Sequence, residues 1–323
     1  MPDRVPVVDG GDDGLKSQPE GYRGGSPRMS WPGGARLAVS VVVNIEQGAE
    51  RSIFRGDEVN EAAYEVTERV EDHPDLCMES HFEYEGRAGW PRVRSALADR
   101  GMVATLSACG RSVEVLPTLV RDAVADGHEV AAHGWRWERH AGMPETRERS
   151  VIARTSDAIE GAAGSPPVGW HTRSATSVHT RRLLVEHGGF LYDSNAYHDD
   201  LPVLMTVAGT PHVVLPYAFD TNDMRFYGGG FVQAEDFARY CIGAVDRLHR
   251  ESAQQPRLLS IGVHPRIIGR PGRIGGLEAV LDHLAALPGV WVARRDAVAH
   301  AWRDAAGLPP WEPAPGGSVV TRA

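Results

Sequence analysis

Four polar residues in this 323-residue chain each stand just past a short apolar run. Glu46 closes VVNIE, His133 closes EVAAH, Asp193 closes FLYD and His264 closes SIGVH. Taken singly, each has an ordinary reading. A glutamate after a strand is commonly a cap neighbour or a solvated loop residue, and a lone histidine is usually a satisfied structural group. Asp193-Ser194-Asn195 alone reads as an Asx turn. The same placement four times over is less easily accidental, because the ends of parallel strands converge on one mouth. A carboxylate and two imidazoles gathered there supply a base, an acid and an orienting group for hydrolysis.

Spacing offers no metal motif, although the chain has 14 histidines. A hydrolytic zinc site takes about three protein ligands, and an HxxxH pair would announce one. Four residues after His133 stands Trp137, which cannot ligate. His128 and His133 flank a strand at a spacing of five, so they face opposite sides. Gly228-Gly229-Gly230 follows no strand–helix junction, and the chain contains no GxxxxGK[ST] phosphate loop. The residues therefore suggest no metal and no cofactor.

Positioning such a site needs repeated strand–helix units. Apolar runs with the character of buried parallel strands occur at Leu37–Ile45, Met102–Leu106, His128–Ala132 and Val168–Trp170. Others follow at Phe190–Tyr192, Val213–Leu215, Leu258–Val263 and Val290–Val292. Helical spacing lies between several of them: Ser112–Asp126, Pro144–Ala163, Thr180–His187, Ala234–Arg250 and Gly276–Ala286. Alternating strands and one-faced helices imply an α/β fold with a parallel sheet, closed into a barrel or doubly wound, and seven or eight such units favour the barrel. One catalytic domain is expected over residues 31–303. A flexible Gly/Pro-rich arm (1–30) and a Pro/Gly-rich tail (304–323) flank it.

Composition narrows the function. The net charge of −9 argues against nucleic acid, and the 42% apolar content argues against a disordered chain. Cys77, Cys109 and Cys241 are odd in number and form no CxxC pair, which excludes a disulfide framework or a zinc ribbon. The first thirty residues lack the apolar core of a signal peptide, and no run reaches a membrane span. A cytoplasmic protein with a small-molecule substrate is expected.

The longer sequence blocks resemble the polysaccharide deacetylase superfamily (carbohydrate esterase family 4), and within it the allantoinase-like branch. They are WPGGARLAVSVVVNIEQGAER, MESHFEYEGRAG, AAHGWRW, TRRLLVEHGGFLYDSNAYHDDLP, LPYAFDTNDMRF and LSIGVHPRIIGRPGR, within roughly residues 20–303. The resemblance implies a distorted (β/α) barrel, of about seven parallel strands. It also matches His264 to the general acid of the superfamily, and Asp193 to an aspartate that orients it or lies nearby. Metal-dependent members carry an Asp-Asp pair and a His-xxx-His pair. Glu46 and Gln47 stand at the first pair, and His133 and Trp137 at the second, so two of three metal ligands are absent. The branch shares this loss and is implied to work without metal, as a homo-oligomer, commonly a tetramer. Trp135 and Arg136 match the branch. Gln47, where the branch has Glu, departs from it, as does GWHTRSATSVHTRR (169–182) in place of GWYTGRTSPNTRR.

The expected function is hydrolysis of a C–N bond in a small cyclic amide, ureide or imide. Glu46 would act as general base and His264 as general acid. His133 would hold water or the carbonyl, and Asp193 would hold a histidine. Arg136, Arg173 and Asn195 are candidate oxyanion donors, and Glu79, Asn222, Asp223 and Arg225 candidate readers of a ureide. With Gln47, Trp135, Trp137 and His171 they complete the expected substrate-binding set. A metal-dependent N-deacetylase of an amino sugar or acyl-amine, and a non-catalytic homologue, remain open beside it.

Overall fold

The computed structural model describes residues 5–16, 27–62, 69–173 and 175–314. Its centre is β2 (Leu37–Ile45), a Val/Ile-rich strand buried along its whole length. β-branched residues buried on both faces are what a parallel sheet covered on each side selects. The other strands are β1 (Val7–Asp9), β3 (Thr105–Ala108), β4 (Glu129–Ala132), β5 (Gly169–Trp170), β6 (Tyr192–Asp193), β7 (Val203–Val207), β8 (Thr210–Val214), β9 (Arg257–Val263) and β10 (Val290–Val292). The helices are α1 (Leu76–Tyr84), α2 (Trp90–Ala98), α3 (Gly110–Val115), α4 (Pro117–Ala125), α5 (Glu145–Ala163), α6 (Thr180–His187), α7 (Ala234–Glu251), α8 (Pro265–Ile268), α9 (Ile274–Ala286) and α10 (Arg295–Ala306).

Seven strands form the distorted barrel. β9, β2, β3, β4, β5, β6 and β8 pair in that order, all parallel. Between β8 and β9 the ladder is broken. There β8 turns its other edge to the antiparallel β7, which in turn carries β1. Loops stitch the break: Leu258 N–H donates to Asp200 O (2.8 Å), Gly262 N–H to Thr221 O (3.0 Å) and the Ser260 hydroxyl to Pro216 O (3.0 Å). The barrel is therefore an open sheet rolled up, within a single domain. β10 pairs with the lower end of β2, outside the ring.

Several elements differ from the expectations in instructive ways. The helix expected over Ser112–Asp126 is two helices, because Leu116 leaves helical geometry ahead of Pro117, which has no N–H to continue the ladder. The arm expected to be loose includes β1 on the sheet edge, with Val5 and Val8 buried. At the other end α10 runs past residue 303 to Ala306 and stops at Gly307, whose φ of 74° suits glycine. Among the described residues no helix is long and apolar enough to cross a membrane.

Candidate active site

The strand ends do converge. Glu46, His133 and His264 follow β2, β4 and β9 and line one cavity of about 490 Å³. Trp137, His171, Arg173, Tyr217, Asn222 and Asn44 share its walls. Glu46 is the meeting point. His133 Nε2 lies 3.3 Å from Glu46 Oε1, and His264 Nε2 lies 3.7 Å from the same oxygen. Arg266 Nη2 lies 2.5 Å from Oε2.

Hydrogen bonding assigns the histidine protons. His133 Nδ1 lies 2.6 Å from the backbone oxygen of His171. A carbonyl only accepts, so Nδ1 carries the proton and Nε2 faces Glu46. His264 Nδ1 lies 2.6 Å from Asp223 Oδ1, which orients that ring in the same way. Asp223 also accepts the backbone N–H groups of His264 (2.7 Å) and Ile268 (3.2 Å) through Oδ2. One carboxylate thus ties the backbone at both ends of α8 and aims the imidazole that precedes it.

Beneath Glu46 lies Glu85, at the start of a π-helical turn (Glu85–Gly89) joining α1 to α2. Glu85 Oε1 accepts the backbone N–H of Glu46 (2.7 Å) and of Gln47 (2.8 Å), while Oε2 takes Arg266 Nη1 at 3.3 Å. One guanidinium serves two buried carboxylates. Burial favours the neutral acid at Glu46, but Arg266, then His264 and His133, outweigh it and hold this carboxyl well below the usual range. At Glu85 burial wins over Arg266 and the Gln47 N–H, with repulsion from Glu46 added, and its pKa is pushed up to about 7.

Several expected residues lie elsewhere. Asp193 is fully buried, but it pairs with Arg181 (2.7 Å) and His212 Nε2 (3.0 Å), not with a histidine of the cavity. Arg181 in turn donates to Gly14 O, so Asp193 secures the N-terminal arm against α6. Gln47 turns its amide oxygen to the Gly86 N–H. Glu79 pairs with Arg55, and Arg136 chelates Asp57 through both terminal nitrogens. Trp135 packs in the core under Arg154. Asn195 accepts the Thr172 N–H, and Arg225 lies over Phe231 and Tyr240. These are positioning or packing groups, outside the cavity lining.

Trp137, His171, Arg173 and Asn222 do line it, and Asp223 acts through His264. The Arg173 guanidinium stacks 3.4 Å above Trp137. His171 sits against His133 and Tyr217, at 5.0 and 4.3 Å between ring centroids. Burial first, then His133, holds His171 well below the ordinary imidazole range. Sequence reasoning missed Arg266, Glu85, Asn44 and Tyr217. Arg266 was within reach, two residues after His264 in VHPR.

The metal of the deacetylases does not fit these residues. Arg266 already sets a cation on Glu46, Gln47 is committed to Gly86, and Trp137 stacks where a second histidine would stand. Among the described residues no three His, Cys, Asp or Glu side chains form a set able to hold a metal ion.

A rolled parallel sheet with a Glu–His–His–Arg cluster at its mouth defines a barrel hydrolase, and comparison with known proteins places it. The Polysaccharide deacetylase family profile matches residues 60–189. A Schizosaccharomyces pombe protein assigned to the polysaccharide deacetylases is 34% identical over 296 residues, 84% of this chain and 92% of that one. Among solved structures, a Pseudomonas aeruginosa PAO1 protein with the same assignment superposes with a TM-score of 0.85 at 39% identity, covering 89% of this chain and 98% of that one. PuuE allantoinase superposes equally well, with a TM-score of 0.85 at 37% identity, covering 89% of this chain and 97% of its own. The chain belongs to the polysaccharide deacetylase family, hydrolases that act on C–N bonds other than peptide bonds.

Proposed function

We propose that the protein hydrolyses a C–N bond of a small cyclic amide, ureide or imide. The convergence of His133 and His264 on Glu46, in a cavity of small-molecule size, carries this reading. Its likeness to PuuE allantoinase supports it. A homo-oligomeric assembly belongs to the same reading through the allantoinase-like sequence blocks, and a cytoplasmic substrate through the three unpaired cysteines.

The geometry redistributes the roles. Glu46 stands where a base is expected, but a carboxylate held ionised by Arg266 has little affinity for a proton. His264 is the better acceptor: Asp223 fixes its Nδ1 proton and leaves Nε2 toward the cavity. The separation of 3.7 Å from Glu46 is too long for a direct hydrogen bond, and a water held by both is aimed at a planar carbonyl. His264 Nε2 takes the proton as the water oxygen bonds to carbon. The C–N bond then breaks, and the same imidazole returns the proton to the departing nitrogen. Glu46 anchors the water beside His133, while Arg173 on Trp137 orients the ring at the mouth.

A second reading, a metal-dependent N-deacetylase, is favoured by the family assignment of the yeast and Pseudomonas relatives. A panel of hydantoins, ureides, cyclic imides and N-acetylated amines, assayed before and after chelation, separates the two. Ring opening insensitive to chelation is expected, with His264→Ala lowering kcat by about 10²–10⁴-fold. Wild-type turnover in that variant sinks the reading. Deacetylation that chelation abolishes and zinc restores establishes the rival.

A further inference from the structure

We infer that the Tyr217 hydroxyl is the hydrogen-bond donor that holds the substrate's carbonyl oxygen as it gains negative charge. The assignment rests on the hydrolytic reading above. Tyr217 is buried and lines the cavity beside Glu46 and His264. Its oxygen accepts two amide N–H groups, from Asn44 Nδ2 and Asn222 Nδ2, each at 3.2 Å. Both amides are oriented independently of Tyr217. Asn44 Nδ2 also donates to Val263 O (3.2 Å), and Asn222 Oδ1 accepts the Met224 N–H (2.9 Å). Each therefore presents N–H, and not C=O, to the phenol.

A phenolic oxygen has one proton and two lone pairs. With both lone pairs engaged, the O–H bond points away from the two asparagines. Among the described residues no acceptor takes that proton, which is left for a group in the cavity. Two donated bonds also polarise O–H and make it a stronger donor. Its place is built into the fold. A Cβ on Gly262 would stand 2.1 Å from the hydroxyl oxygen, so glycine at this point of β9 lets the phenol seat two residues before His264. The His171 ring supports it from beside, with 4.3 Å between centroids. Burial raises the phenol's pKa, so it donates a hydrogen bond without giving up the proton.

The step balances. Water oxygen bonds to the carbonyl carbon, the π pair moves to the carbonyl oxygen, and Tyr217 O–H hydrogen-bonds that oxyanion. When C–N breaks the pair returns to C=O, and His264 protonates nitrogen. A donor that matters most in the transition state changes kcat more than KM.

Tyr217→Phe keeps the ring and removes the donor. On hydantoin, kcat should fall about 10²–10³-fold with KM within about threefold and the thermal midpoint little moved. If wild type turns over hydantoin and the variant keeps more than a third of its kcat, the Tyr217 assignment falls and the hydrolytic reading stands. If wild type turns over nothing on the panel, the hydrolytic reading falls. The donor is then judged by calorimetric titration with methylphosphonate, an oxyanion mimic. Binding at least tenfold weaker in the variant supports it, and equal binding, or none to wild type, overturns it.

Discussion

Arg266 carries one positive charge between two buried carboxylates, and the three groups cannot all be comfortable at once. Glu46 takes the closer contact and stays ionised, and Glu85 absorbs the penalty. The consequence is a pH dependence with a definite sign. Glu85 titrates near 7 when folded and near 4.5 when unfolded. Its folded pKa is raised, so its contribution to stability is full below 4.5 and is lost as pH rises through 7. Glu85→Gln keeps an oxygen for the Glu46 and Gln47 N–H groups and does not titrate. Relative to wild type, this variant should gain about 2 kcal/mol of stability between pH 5 and pH 8, read by urea unfolding at each pH. A difference that stays flat, or that favours wild type at pH 8, contradicts the shared-guanidinium picture. Little of this was legible in the sequence. Glu46, His133 and His264 announce themselves by position after strands. Glu85 acts from below the site, where no periodicity marks it, and Arg266 is marked only by its place two residues after His264. Asp193 has the right position and the wrong neighbours, because β1, invisible as an edge strand within a Gly/Pro-rich arm, brings Gly14 to Arg181.

At the scale of elements, the junction of α1 and α2 sets the floor of the site. The extra residue of the π turn lets Glu85 face inward beneath β2 while Trp90, Val93 and Leu97 still face the core. The same insertion breaks the helical period, which explains why the strands that carry the site were legible and this helix pair was not. Gly89 lies at the end of that turn, against the start of α8. A Cβ there would stand 2.1 Å from Pro265 O, a backbone atom that cannot swing aside. Its φ of −68° is helical, so the requirement for glycine is one of space and not of backbone conformation. Gly89→Ala should therefore displace Pro265 and with it His264. A loss of about 1–3 kcal/mol is expected, with a fall in kcat larger than the fall in thermal stability would explain. Gly243→Ala is the matched control. It lies within α7 with open space around its Cβ, and should be neutral or gain up to about 1 kcal/mol. Thermal unfolding and steady-state kinetics on the two variants decide it; equal effects would refute the steric argument.

The molecule as a whole must close a barrel whose sheet does not close. Parallel strands and one-faced helices were enough to expect a parallel sheet of seven or eight units, with a barrel favoured over a doubly wound sheet, since each unit carries its own apolar pattern. The break between β8 and β9 has no such local signature, because what spans it comes from α10, far along the chain. Arg295, fully buried at the start of that helix, fills the gap. Its Nη2 donates to Leu215 O (2.8 Å) and Pro216 O (2.9 Å) beyond β8, its Nη1 to the Ser260 hydroxyl of β9, and its Nε to the Ser194 hydroxyl (3.0 Å). Where a ladder would have satisfied these backbone oxygens, a guanidinium does so with fixed planar geometry. No carboxylate contacts it among the described residues, so the cation is solvated by the protein's own carbonyls and hydroxyls. Arg295→Met fills similar length but leaves Leu215 O buried without a donor and Pro216 O with the Ser260 hydroxyl alone. A destabilisation of about 3–5 kcal/mol is expected, and Arg295→Lys should recover only part of it, since an ammonium cannot span four acceptors in one plane. Hydrogen exchange should show protection lost first at the Gly262 and Leu258 amides, which stitch the same seam. If Arg295→Met unfolds no more easily than wild type, the seam is held by the loops alone. The barrel would then owe its closure to the Thr221 and Asp200 contacts and not to this side chain.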